Sequence, residues 1–276
     1  MHLDQNMWLW ALLAFAITLA FFKQRNLSVA LAIVVVIAGV FTAKISVIGA
    51  LFALLGFALA ALIPKSNRLN RWLYTGLLVV WCAALFFHLV PGFHNLKALN
   101  HVFASPHSLP FSMYLNLDKP LIFFALILAH PNLFGSGAKP NKRAIVFTIV
   151  PLFALLLVAQ FLGAIKPEFS VPSWWWLFAL NNLLLVCATE EALFRGFFQQ
   201  EISRKLGRLS GLFLASILFG LSHYTGGLTL IIFATLAGVG YGLVFYFSKR
   251  LWAAVLVHFL FNMTHLIFFT YPAVAK

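Results

Sequence analysis

The sequence predicts an all-α fold: a polytopic integral membrane bundle of about nine to ten transmembrane helices. Three observations predict it. Hydrophobic residues fill 63% of the 276 positions and charged residues only 9%, against roughly 45–50% and about 25% in a soluble domain. Mean hydropathy is +0.97, and 31 residues are Phe. Most of the chain falls into apolar runs approaching or exceeding the ~18 residues that read as membrane spans.

The runs follow in order at 7–22, 27–43, 45–63, 72–90, 119–134, 144–165, 174–198, 209–224, 226–247 and 251–271. The first has no basic residue before it and basic residues after it, the reverse of a cleavable signal. The fifth is short enough to be re-entrant, and the eighth is also short. With the amino terminus outside, thirteen of the nineteen Lys and Arg fall in cytoplasmic connections and five outside, while Arg195 stays within a run. That asymmetry is what the positive-inside rule requires, and a span count wrong by one would scramble it. In a soluble protein the net charge of +13 would suggest a nucleic-acid binder. Here it sets orientation, so the partner is the lipid bilayer and no nucleic acid is expected. Cys82 and Cys187 both lie inside apolar runs and imply no disulfide framework.

Three connections punctuate the runs. The longest, 91–118, lies outside. The second, 135–143, contains Gly-Ser-Gly and Lys-Pro-Asn-Lys-Arg and reads as a flexible cytoplasmic linker. The third, 166–173, precedes Trp174-Trp175-Trp176, an interfacial aromatic anchor. Residues 1–165 hold no acidic residue inside an apolar run and read as an N-terminal transmembrane scaffold. Residues 166–276 form a second region, which holds the candidate site.

Only six residues are acidic, and two of them, Glu190 and Glu191, are adjacent inside the run 177–198. An ionisable group in a span costs several kcal/mol unless paired or hydrated, and marks a functional site by default. Arg195 follows Glu191 by four residues, the spacing at which the two face each other on a helix. Glu190 points about 100° away on the same helix. A paired Glu191 stays ionised, whereas a desolvated Glu190 beside a like charge is suited to general-base work. The bland alternative is a buried ion pair that only fixes helix register. His223 ends the run Phe219-Gly220-Leu221-Ser222-His223. His258 and Asn262 share one face of the final run at i, i+4, and are either oxyanion donors or, for His258, a metal ligand. His265, one heptad after His258, reads as packing.

In order, Glu190-Glu191-x-x-x-Arg195, Phe219-x-x-x-His223 and His258-x-x-x-Asn262 resemble the signature of the CAAX prenyl endopeptidase and bacteriocin-processing (CPBP, or Abi) family of intramembrane proteases. The resemblance covers about 174–268. It implies that Glu190 and His223 hold and activate a water, that Glu191 with Arg195 supports them, and that His258 with Asn262 stabilises the oxyanion. The expected function is therefore hydrolysis of a peptide bond in a membrane-associated protein or peptide, at the bacterial inner (plasma) membrane. The sequence reading favours no cofactor. No carboxylate is expected to remain to orient the imidazoles, Glu191 being satisfied by Arg195. Its alternatives are a zinc-dependent protease with Glu190, His223 and His258 as ligands, and a non-catalytic protein of the bacteriocin-immunity type. A transporter is disfavoured by the absence of inverted-repeat hydropathy.

Other signals are set aside. Gly238-Val239-Gly240-Tyr241-Gly242 lacks a nucleotide-loop context, and Gly238-x-x-x-Gly242 reads as a helix-packing face. His94, His101 and His107 are irregularly spaced in the outer connection. There is no His-Glu-x-x-His.

Overall fold

The computed structural model describes residues 4–275. Among them the ten predicted runs are ten helices. These are α1 (Trp8–Phe21), α2 (Arg25–Phe41), α3 (Val47–Leu62), α4 (Arg68–Phe86) and α5 (Leu121–Ala129), then α6 (Lys142–Phe161), α7 (Trp175–Leu206), α8 (Arg208–Leu221), α9 (Gly227–Ser248) and α10 (Leu251–Phe268). Six of them, α3, α4, α6, α7, α9 and α10, are long and apolar enough to cross a membrane; α1, α2 and α8 are shorter apolar helices. The chain is an integral, multi-pass membrane protein. Polar residues start several helices. Ser46, Asn67 and Asn141 each accept a bond from the backbone N–H three residues on, at the N-termini of α3, α4 and α6.

One departure from the all-α expectation lies in the outer connection. Two strands, β1 (Leu96–Val102) and β2 (Phe111–Leu115), pair as a hairpin within 91–118. Met113 and Leu115 are buried while Tyr114 between them is exposed, the alternation that a strand produces and a helix does not. A second departure is the linker 135–143, expected to be flexible. Gly137 N–H donates to the Lys249 carbonyl and Asn141 N–H to that of Phe247. Gly135, at φ +87°, lies so close to Lys249 that a Cβ would stand 2.4 Å from its carbonyl oxygen. Backbone hydrogen bonds hold a segment whose composition suggested freedom.

The chain divides into two compact units. The first takes the residues up to Leu99, Met113–Leu133 and Leu184–Thr189. Its centre is α5, buried on nearly every side, which explains a helix with no polar face. Lipid does not set the length of a helix enclosed by protein, so α5 is shorter than a span. Trp81 of α4 donates its indole N–H to the Phe52 carbonyl of α3, and Gly56 leaves the room for that ring.

The second unit takes Asn100–Ser112, Phe134–Leu183 and Glu190–Lys276. The greater part of α7 lies in it, and α7 differs from the other long helices: 72% of its apolar window is buried, against 22–39% in the other five. It also runs eight residues beyond the expected end at 198. Two stretches of α7, Asn181–Cys187 and Ala192–Gln199, are wound as π-helix, and the ordinary α turn Ala188–Glu191 separates them. Such turns occur often at functional sites. In this unit the hairpin tip, the segment before α7 and the chain after α10 are tied together. Glu168 N–H donates to the Phe268 carbonyl, Leu109 N–H to that of Ala273, and Ala275 N–H to that of His107.

Candidate active site

Glu190 and Glu191 both occupy the short α turn between the two π-helical stretches, and both are buried. Arg195 meets Glu191 as the i, i+4 spacing predicts, with Nη1 at 3.0 Å from Oε1 and neither side chain exposed. A guanidinium in such surroundings needs further acceptors. Nη2 donates to the Gly238 carbonyl of α9 at 3.0 Å, and the group lies 4.4 Å from the Phe219 ring centroid and 5.3 Å from that of Tyr241. Gly238 therefore does more than pack helices. A Cβ there would stand 3.2 Å from Arg195 Nη2. One turn farther on, Gln199 repeats the contact, donating to the Gly242 carbonyl at 3.0 Å.

The sequence reading placed His258 with Asn262 and left Glu191 fully occupied by Arg195. The structure corrects this. Glu191 Oε1 also accepts from His258 Nδ1, at 2.8 Å. A carboxylate oxygen has two lone pairs, so one atom serves both cations or donors. His258 is therefore held by a carboxylate, and the argument that no such group remained does not stand. Its ring is stacked on Tyr241, with centroids 4.4 Å apart and planes 16° apart. The contact also fixes the proton. Nδ1 donates to Glu191, so Nε2 carries a proton only when the ring is an imidazolium.

His223 is oriented differently. Its Nδ1 lies 2.8 Å from the Phe219 carbonyl oxygen, one turn back at the end of α8. A carbonyl only accepts, so Nδ1 carries the proton and Nε2 of the neutral ring is an acceptor. Phe219 stands between the two imidazoles, 4.8 Å from His223 and 5.6 Å from His258, centroid to centroid. Gly227, at φ +80°, reverses the chain from the single turn Tyr224–Gly226 into α9.

Asn262 meets a residue that the sequence reading passed over. Its Nδ2 donates to Asn182 Oδ1 of α7 at 3.2 Å. The signal was present, since Asn181-Asn182 places two carboxamides inside an apolar run. Tyr241 was also missed, being hidden in a glycine-rich stretch. His265 is a packing residue, bonded through Nε2 to the Thr270 carbonyl and set against the Tyr271 ring. Among the described residues, no three His, Cys, Asp or Glu side chains form a group that could hold a metal ion.

Helix α7 therefore lines up two carboxylates, and α8 and α10 present two oriented imidazoles and a carboxamide. The match to known proteins falls on this part of the chain. Residues 172–264 match the family model described as type II CAAX prenyl endopeptidase Rce1-like. The match bears out the resemblance read from the three motifs, all of which lie within it. No curated protein and no solved structure matches the chain.

Proposed function

We propose that the protein hydrolyses a peptide bond of a membrane-associated protein or peptide, with Glu190 as general base and without a metal ion. The observation that carries this reading is the division of labour between the adjacent carboxylates. Glu191 is committed to Arg195 and His258 through one oxygen. Glu190 stands beside it, buried on the same short α turn. His223, with Nδ1–H tied to a carbonyl, offers Nε2 as the acceptor that helps hold the attacking water.

The chemistry then runs as follows. Glu190 takes a proton from water as its oxygen attacks the scissile carbonyl, and the carbonyl π electrons move onto oxygen. Asn262, together with His258 as imidazolium, donates to that oxyanion. The proton held by Glu190 passes to the leaving amine as the C–N bond breaks. Water, acid and amine balance without an external reagent. The proposed location is the bacterial plasma membrane.

The test uses purified protein in proteoliposomes. The probes are a peptide with a prenylated CAAX tail, suggested by the family description, and a panel of single-span membrane peptides. Cleavage of a probe is expected to survive dialysis against a strong chelator, with well under one zinc per chain. Loss of cleavage on chelation, restored by zinc, would overturn the metal-free mechanism. No cleavage of any probe would overturn the enzymatic reading.

A further inference from the structure

We infer that Asn182 is a positioning residue for the oxyanion donor, acting through Asn262. The inference rests on the hydrolytic reading above and adds a residue that none of the three motifs contains. Asn262 Nδ2 donates to Asn182 Oδ1 at 3.2 Å, and Asn182 is nine-tenths buried at 8% exposure.

A carboxamide has two N–H donors on one planar nitrogen. When Asn182 Oδ1 takes one of them, the amide plane is set and the direction of the second N–H is fixed with it. That is the preorganisation an oxyanion site requires, because a donor that must rotate into place during the reaction loses much of its effect. The pair joins α7 to α10 at a second point. The first is Glu191 with His258, four residues before Asn262 on α10. Both proposed oxyanion donors of α10 are thus held from α7 by an acceptor oxygen, a carboxylate for the imidazole and a carboxamide for the amide. Asn182 also stands in the π-helical stretch Asn181–Cys187 that precedes the glutamates. A purely adhesive role is a weak alternative, since hydrogen bonds between membrane helices contribute little on average to stability.

The inference is tested by a double-mutant cycle of Asn182→Leu and Asn262→Leu in proteoliposomes, using the best-cleaved membrane peptide. Asn262→Leu should lower kcat by about 100–1000-fold, the cost of an oxyanion donor. Asn182→Leu should lower kcat by about 10–100-fold through misplacement of that donor, with KM changed by less than about twofold. The double variant should be no slower than Asn262→Leu alone, because Asn182 then has nothing to position. Asn182→Ala gives a second removal of the amide should leucine disturb folding. Wild-type kcat in a folded Asn182 variant, or losses that multiply in the double variant, would overturn the inference while leaving the protease reading intact. Failure of both Asn182 variants to fold would make the pair structural and overturn it likewise. An Asn262→Leu variant with wild-type kcat would instead count against the oxyanion assignment.

Discussion

Glu191 Oε1 serves two partners, the Arg195 guanidinium and the His258 ring. Its removal therefore affects both charge and geometry. In Glu191→Gln, Arg195 loses its carboxylate partner in a position with no exposure, a change that costs about 3–5 kcal/mol when a buried pair is broken. His258 also loses the carboxylate that holds its Nδ1. The expected outcome is a lower melting temperature together with loss of turnover; a Glu191→Gln protein as stable as the parent would contradict the pairing. At this scale the sequence was half legible. Glu191 and Arg195 are neighbours on one helix, so spacing alone predicts their contact. His258 is 67 residues away, and its contact with Glu191 depends on how α10 packs, which local periodicity does not encode. Asn182 and Asn262, 80 residues apart, were obscured for the same reason.

The long helices were legible because the bilayer imposes about 20 apolar residues per span, a constraint written directly in hydropathy. Two features escaped. Hydropathy does not report winding, so the π turns of α7 were invisible. The hairpin in the outer connection alternates over only a few residues. That hairpin's tip is fastened to the segment before α7. Ser105 Oγ donates to Glu168 Oε2 at 2.7 Å, and His107 Nδ1 lies 3.0 Å from Oε1. The Ser105 hydroxyl first, then His107, hold the Glu168 carboxyl below its ordinary value. A depressed carboxylate contributes stability that is fully present above the unfolded value of about 4.3 and is lost as pH falls through the folded value below it. Glu168→Gln should therefore melt earlier than the parent at neutral pH, and the two should converge as acid protonates the parent. Equal melting at pH 7 would mean the fastening is inert.

For the whole molecule, the charge asymmetry implies that residues 135–143 and the outer connection face opposite sides. The internal bonds of the second unit agree with that grouping. The hairpin tip joins segments assigned outside, and Gly137 and Asn141 join Lys249 and Phe247, at the end assigned inside. In a Cys82- and Cys187-free background, cysteines at the exposed positions Ser136 and Pro106 should label from opposite faces of sealed vesicles, Ser136 from the cytoplasmic face. Ser105 is unsuitable because it is buried. Labelling from one face would mean that the span count between them is wrong. The central claim, that one carboxylate of an adjacent pair activates water inside the membrane while the other builds the site, rests on a single comparison. In proteoliposomes, purified and folded Glu190→Gln should lose at least about a hundredfold in kcat, the scale of general-base catalysis. Full turnover by Glu190→Gln would contradict the account.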